Sequence, residues 1–121
     1  MSGKAVINLT TGLEDPEQVT VALLVAVGAA ESGRPTVMFL AKEAVRLALD
    51  GVAVGTACEG CPPLPQLFER YTAAGGRFFV CPVCFNAKQL DKAGLIDGAE
   101  LAGTVPLWEW IGDEGATTFS Y

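Results

Sequence analysis

The chain has 121 residues, of which half are hydrophobic and 18 % are charged, and this length and composition predict one domain with one core. The formal net charge of −6 and the scattering of the eight Lys and Arg residues argue against a nucleic acid partner. The absence of histidine excludes imidazole from every catalytic or metal-binding mechanism.

The first predicted elements are a short strand and a long helix. Residues 5–9 contain β-branched side chains and predict the strand. Asp15 is typical of a helix N-cap and Pro16 of the first helical position, and Gln18 is placed to complete a capping box. The helix is predicted to run to about Ser32 and is apolar around most of its circumference. It therefore packs either in a crowded core or against a second subunit.

The next segments predict a buried strand followed by a helix. Residues 35–40 show little polar alternation, as expected for a strand that is covered on both faces. Residues 42–50 predict a helix on which Glu43 and Arg46 fit a surface ion pair. Residues 52–54 fit either a short strand or an extended loop.

The second half of the chain begins with a proline-rich loop over residues 55–65, which contains the first of two cysteine pairs. The later predicted elements are a helix over residues 66–74, a strand over residues 77–80, a helix over residues 86–93, a short helix over residues 107–111 and a terminal strand over residues 117–121. Trp108 and Trp110 diverge by about 200° on a helix, so one is expected to cover the core and the other an interface.

Strands that alternate with helices predict an α/β fold, with one mostly parallel sheet of about five strands and helices on both faces. Functional groups in such sheets collect at the carboxyl ends of the strands. Cys81 follows a predicted strand at such an end, and the loop that carries Cys58 is placed to fold over it. The element pattern and the thiol chemistry therefore indicate the same region.

The sequence predicts neither a signal peptide nor a membrane anchor. The first residues lead directly into a strand-like run. The longest apolar run, residues 21–30, is too short to span a bilayer. A cytoplasmic location without a membrane partner is therefore expected, and thiols in that compartment stay reduced unless they have a redox role.

The four cysteines form two pairs with identical spacing, Cys58-x-x-Cys61 and Cys81-x-x-Cys84. The separation of the pairs fits a four-cysteine zinc ribbon. However, a helix and an apolar strand separate the pairs within a domain that has its own core, whereas small zinc domains depend on the metal to fold. No metal or cofactor is therefore expected, and a structural zinc ion on Cys58, Cys61, Cys81 and Cys84 is kept as the alternative.

The second pair has the better setting for reactivity, because it runs from a strand end into a helix start. Backbone N–H groups at a helix N-terminus stabilise a thiolate, which makes Cys81 a nucleophile that needs no histidine. Lys88 follows Cys84 by four residues, so its ammonium can lie over the same helix face. The spacing also suggests a thioredoxin-type disulfide, although the order of elements is not that of thioredoxin.

Several segments together resemble the DsrE/DsrF-like family. They are Lys4–Leu9, the Asp15-Pro16 helix start, Thr36–Leu40, residues 43–48 (EAVRLA) and residues 79–88 (FVCPVCFNAK). The resemblance extends over nearly the whole chain and is most specific at the strand-to-helix cysteine. It implies a single α/β domain with a five-stranded, mostly parallel sheet, assembled as homotrimers, homohexamers or related hetero-hexamers.

The resemblance also implies a role in sulfur metabolism, since members of this family pass sulfur between partner proteins as a cysteine persulfide. The family's sulfur-carrying cysteine corresponds to Cys81, and some members have a second cysteine at the position of Cys84. The chain departs from the family at residues 88–89, where Arg-Gly is common in place of Lys-Gln. The first cysteine pair is not part of the general family pattern.

The first hypothesis is a sulfurtransferase or sulfur carrier, in which Cys81 receives sulfur from a donor protein and yields it to an acceptor protein. Cys84 is a candidate to release that sulfur by forming a disulfide with Cys81, and Lys88 is a candidate to stabilise thiolate or persulfide charge. Cys58 and Cys61 are candidates for a resolving or redox role. The alternatives are a non-catalytic scaffold with a four-cysteine zinc site and a dithiol/disulfide oxidoreductase.

Overall fold

The computed structural model describes residues 3–121 as a single α/β domain built on a five-stranded sheet. The strands are β1 (Lys4–Leu9), β2 (Thr36–Leu40), β3 (Arg77–Val80), β4 (Ala99–Leu101) and β5 (Ala116–Ser120), in the spatial order β4-β3-β2-β1-β5. The α-helices are α1 (Pro16–Glu31), α2 (Leu64–Ala73), α3 (Pro82–Ala87) and α4 (Thr104–Ile111), and 3₁₀ helices cover Lys42–Ala48, Lys92–Gly94 and Gly112–Glu114. All four strand pairs are parallel, which confirms the predicted fold class.

Alternate side chains of the strands enter two separate cores, one on each face of the sheet. Ile7, Met38 and Phe78 pack with α1 and α2 on one face, and Val37 and Phe79 pack with α4 on the other. Burying a side chain of this size contributes about 1.5–3 kcal/mol. All five residues of β2 are buried, which confirms the prediction of a strand covered on both faces. The predicted helices on both faces are also confirmed.

Helix α1 begins as predicted at its N-cap, but its capping box is incomplete. The Asp15 carboxylate accepts a hydrogen bond from the backbone N–H of Gln18 at 3.1 Å. The predicted return bond from the Gln18 side chain is wrong, because that side chain donates instead to Thr11 Oγ1 at 2.8 Å. The Asp15 N–H is bonded to the Gly12 carbonyl at 3.1 Å. The Thr11–Gly12 turn therefore takes part in starting the helix.

Tyr71 joins α2 to the sheet. Its side chain is fully buried, and its hydroxyl donates to the Arg77 carbonyl at 2.7 Å and lies 3.3 Å from the Thr36 carbonyl. Gly76 lies directly against the ring, and a Cβ atom at this position would overlap with ring carbons. Burial raises the pKa of Tyr71 well above its ordinary value, and backbone groups of Arg77 and Met38 partly oppose that effect.

Two predicted helices differ from the observed ones. The segment predicted as a helix over residues 42–50 is a 3₁₀ helix, Lys42–Ala48, which begins at Lys42 with a left-handed backbone (φ 52°). The prediction of a helix over residues 86–93 is wrong. The observed helix α3 starts earlier, at Pro82, and ends at Ala87. Gln89 has φ 55°, and this left-handed residue turns the chain out of the helix.

Two further segments differ from what the sequence predicts. Residues 52–54, interpreted as a short strand or an extended loop, lie in a turn region. Strand β4 was not predicted, since its three residues, Ala99–Leu101, carry no β-branched or aromatic side chain. It forms because it lies beside β3 at the edge of the sheet, where Arg77 and Glu100 pair at 2.7 Å. The strands predicted at residues 5–9, 77–80 and 117–121 are confirmed.

The predicted helices over residues 66–74 and 107–111 are confirmed as parts of α2 and α4. The proline-rich segment between the first 3₁₀ helix and α2 is a loop, as predicted. In the described chain, residues 3–121, no helix has the length and apolar character needed to cross a membrane.

Candidate thiol site

Cys81 lies where β3 meets α3, at the carboxyl edge of the sheet. Its N–H donates to the Leu40 carbonyl at 2.9 Å, which ties it to the end of the neighbouring strand β2. Its carbonyl accepts from the Phe85 N–H at 3.0 Å, and Pro82 occupies the first helical position, so Cys81 is the N-cap of α3. This placement at a strand end and a helix start is the predicted one. The backbone position is therefore fixed by two independent hydrogen bonds.

The side chains of α3 bury one side of the helix in the core and expose the other. Phe85 is fully buried and anchors the helix, whereas Val83 is 77 % exposed. Cys81 and Cys84 are both half-buried and both packed against the core, and both are free thiols. The helix therefore presents an exposed apolar side chain between two half-buried thiols.

Lys88 points its charge at a carboxylate on the neighbouring 3₁₀ helix. Lys88 Nζ lies 2.9 Å from Glu43 Oε2, and Arg46 Nε donates to the other oxygen of Glu43 at 2.9 Å. The predicted pair of Glu43 and Arg46 is confirmed. Hydrogen bonding to Lys88 first, and to Arg46 second, holds the pKa of Glu43 below its ordinary value. Lys88 therefore follows α3 as predicted, but its ammonium is engaged by Glu43.

The loop after β1 packs against the backbone of Glu43. Gly12 is buried, and a Cβ atom there would stand 2.8 Å from the Glu43 carbonyl oxygen. The Gly12 N–H donates to the Glu14 carboxylate at 2.9 Å. Gly12 and Glu43 were not predicted as part of the site. The sequence contains one clue to these two residues. Each follows a strand, and the carboxyl ends of these strands lie at the same edge of the sheet, where functional groups collect.

The first cysteine pair forms a disulfide between Cys58 and Cys61 in the loop before α2, with Cα atoms 5.1 Å apart. Cys58 Sγ lies 3.7 Å from the hydroxyl of Thr20, a buried residue of α1. The loop is therefore held against the first half of α1. Reduced thiols were expected here unless the pair has a redox role, and the structure instead has the two cysteines joined.

The two cysteine pairs do not form a four-sulfur cluster in the described structure. Within residues 3–121, no three or more cysteine and acidic side chains come close enough together to hold a metal ion. A structural zinc site built from four cysteines needs all four thiolates together at the corners of a tetrahedron. The arrangement thus gives no support to the alternative zinc site on Cys58, Cys61, Cys81 and Cys84.

The two tryptophans of α4 have different environments, as their spacing predicts. Trp110 is half-buried and packs against the second core, and Lys4 Nζ lies 5.3 Å from the centre of its ring. The same ammonium is bonded to the Trp110 carbonyl at 2.6 Å. Trp108 is 68 % exposed and projects from the outer side of the helix. One ring therefore covers the core, and the other is available to a partner.

These features define a class, namely single-domain α/β proteins in which a five-stranded parallel sheet places a thiol at the end of an inner strand. No protein-family model matches the sequence, and no curated protein matches it. Among solved structures, the chain is similar to the ychN protein of E. coli, with a TM-score of 0.78 and 26 % identity over 97 % of this chain and 99 % of that chain.

Two further structures share the fold at lower identity. MTH1491 from Methanobacterium thermoautotrophicum, described as a protein of unknown function, has a TM-score of 0.69 and 13 % identity over 98 % of this chain and 99 % of that chain. BT1422 from Bacteroides thetaiotaomicron, also of unknown function, has a TM-score of 0.64 and 16 % identity over 98 % of this chain and 95 % of that chain. These two likenesses show the fold alone.

Proposed function

We propose that this chain is a sulfur-relay protein of the DsrE/DsrF-like type that carries sulfur as a persulfide on Cys81. The observation that carries the proposal is the position of a free, half-buried Cys81 at the junction of β3 and α3. Reactive cysteines are commonly found at helix N-termini. The fold shared with the ychN protein is compatible with this role.

The transfer uses two thiol exchange steps and no external oxidant. The Cys81 thiolate attacks the terminal sulfur of a donor persulfide, the donor S–S bond breaks, and the donor leaves as a thiolate. Cys81 then carries the persulfide –S–SH. In the second step, an acceptor thiolate attacks the outer sulfur, and Cys81 leaves as the thiolate. The sulfane sulfur keeps its oxidation state throughout.

Cys84 offers a second route by which the sulfur leaves. Its thiolate attacks the inner sulfur of the Cys81 persulfide, a Cys81–Cys84 disulfide forms, and hydrosulfide is released. The two cysteine sulfurs are oxidised in this step, and the outer sulfur is reduced to sulfide. Cys58 and Cys61 show that the same spacing closes a disulfide in this chain. That pair is a candidate for the same resolving role only after it has been reduced.

Lys88 is proposed to stabilise the thiolate or persulfide charge. Its ammonium is shared with Glu43 in the resting protein, at a distance of 2.9 Å. A negatively charged persulfide competes with that carboxylate for Lys88. The pair of Lys88 and Glu43 therefore sets how much positive charge the site offers to the sulfur.

We propose that the chain assembles as a homotrimer or homohexamer. Its proposed partners are donor and acceptor proteins in the cytoplasm. Helix α1 exposes an apolar stripe with a spacing of three and four residues, formed by Val21, Leu24, Val25 and Gly28. A Cβ atom on Gly28 would meet nothing within 4 Å in its own chain. Glycine inside a helix costs about 1 kcal/mol relative to alanine, so close approach of a second subunit explains its presence.

A mass spectrum of the intact protein tests the proposal. After incubation with a persulfide donor and removal of excess reagent, the chain should gain one sulfur atom, roughly 32 Da. The Cys81→Ser variant should show no gain. An equal gain in that variant would eliminate the role assigned to Cys81.

A dithiol oxidoreductase is the second candidate, and the Cys58–Cys61 disulfide favours it. A redox titration that finds a reversible two-electron couple, together with no uptake of sulfur, would select this function. The scaffold with structural zinc predicts about one zinc ion per chain in protein purified without added metal.

A further inference from the structure

An apolar cavity of about 270 Å³ lies in a part of the molecule that the sulfur chemistry does not use. It opens to solvent and is lined by α2, by the loop after the first 3₁₀ helix and by the segment before β4. Leu47 and Ala53 are buried in its wall, and Phe68 and Ile96 contribute further apolar surface. None of the four cysteines lines it. The cavity is therefore separate from the candidate thiol site.

Three carboxylates, from three different segments of the chain, surround the mouth of this cavity. They belong to Asp50, Glu69 and Asp97, and all three residues are exposed. In the described part of the chain, none of the three forms an ion pair. Arg70, the cation next to Glu69 in the sequence, is engaged by Glu31 on α1 at 2.9 Å. Among residues 3–121, the negative charge at the mouth is thus left without a partner.

We propose that this cavity binds a small organic cation with an apolar body and one ammonium or amidinium end. The apolar wall accepts the body, and the carboxylates at the mouth complement the charge. The ring centres of Phe68 and Phe78 are 5.6 Å apart, so Phe68 is packed in place. The face of the Phe68 ring adds a favourable site for a cation. Ligand pockets usually measure about 300–1,000 Å³, so the cavity suits a ligand with one ring or a short alkyl chain.

Three probes of similar shape and different charge test this ligand class. They are phenethylammonium, phenethyl alcohol and 3-phenylpropionate, titrated into ¹⁵N-labelled wild-type protein. The expected result is a shift of the amide signals of Val54, Phe68, Thr72 and Ile96, which line the cavity. The ammonium probe should bind roughly three- to tenfold tighter than the alcohol, as one or two exposed ion pairs allow. The carboxylate probe should bind more weakly than the alcohol.

A variant without the three carboxylates at the mouth tests whether they cause the preference for the ammonium probe. The triple variant Asp50→Asn, Glu69→Gln, Asp97→Asn changes only exposed side chains and keeps the cavity wall, so it should bind the ammonium and the alcohol equally. The matched control is Glu17→Gln, Glu109→Gln, Asp113→Asn, which removes the same number of exposed carboxylates outside the cavity lining. The control variant should retain the preference for the cation.

Three results would overturn the proposal. The first is the absence of shifts at these amides with every probe, which denies a binding site. The second is equal binding of the three probes to the wild type, and the third is an unchanged preference in the charge-neutral triple variant, each of which denies the assigned ligand class. The measurement involves no cysteine, so its outcome does not depend on the sulfur-relay proposal.

Discussion

Tyr71 and Gly76 show how single residues fix the strand that leads to Cys81. The Tyr71 hydroxyl is bonded to the Arg77 carbonyl, at the start of β3, and its ring occupies the space beside Gly76. Only glycine leaves room for the ring at that position. The start of β3 is therefore held from inside the core, four residues before the thiol.

The Gly76→Ala substitution should destabilise the fold by about 1–3 kcal/mol, the usual cost of overpacking a core. The added methyl group would overlap with the Tyr71 ring, and a urea unfolding curve measures the loss. Gly94→Ala is the matched control, because its Cβ atom would make an ordinary contact of 3.5 Å with Leu49. It should stay within about 0.5 kcal/mol of the wild type. Equal stability of the two variants would contradict the role of Gly76.

The lowered pKa of Glu43 predicts that the contribution of this residue to the free energy of unfolding depends on pH. Lys88 and Arg46 hold its pKa in the folded protein below the unfolded value, which is about 4.3. Its contribution is therefore fully present above the unfolded pKa and is lost as the pH falls through the lower folded pKa. The difference in free energy of unfolding between the wild type and Glu43→Gln should be larger at pH 7 than at pH 3.

Urea unfolding at the two pH values measures this difference, and Glu109→Gln is the control. Glu109 is exposed and makes no ion pair within residues 3–121. Its substitution should have the same small effect at both pH values. A Glu43→Gln effect that is independent of pH would show that the ion pairs contribute nothing to stability.

At the scale of elements, the outer side of α1 presents an apolar surface that the monomer leaves uncovered. Val21 and Leu24 are 42 % and 44 % exposed, although both lie on a helix whose other side is fully buried. Phe119, on the edge strand β5, is 46 % exposed and lines a second cavity together with Val25 of α1. Apolar surface that is shared by a helix and an edge strand is typical of a subunit interface.

The double substitution Val21→Glu, Leu24→Glu should convert the proposed assembly into monomers, because it places two charges in a buried contact. Sedimentation velocity at micromolar concentration measures the mass. Val54→Glu, which changes a residue that is 69 % exposed in a loop, should leave the assembly intact. A wild-type protein that sediments as a monomer would contradict the proposed interface.

The elements that the sequence predicts correctly are those with local signals. Helix α1 has an N-cap and a proline at its start, and β2 is a continuous apolar run. Strand β4 and the end of α3 depend on tertiary contacts instead. β4 forms beside β3, and Gln89 leaves the helix through a left-handed backbone that its side chain does not signal.

At the scale of the whole molecule, the parallel sheet explains which parts of the site were predictable. Cys81 was placed correctly because a strand followed by a helix is visible in the sequence. The contact between Lys88 and Glu43 was not, because it joins segments 45 residues apart that meet only at the edge of the folded sheet. The sequence left Cys58 and Cys61 open between a redox role and a zinc site, and the position of their disulfide against Thr20 was not predicted.

The most direct test of the account maps the added sulfur to individual cysteines. The protein is treated with a persulfide donor, thiols and persulfides are alkylated, and the peptides are analysed by mass spectrometry for the wild type and each Cys→Ser variant. The account predicts one extra sulfur atom, roughly 32 Da, on Cys81 in every chain that retains it. It also predicts a longer-lived adduct in Cys84→Ser than in the wild type. Sulfur found on Cys58 or Cys61 with Cys81 unmodified, or full loading of Cys81→Ser, would contradict it.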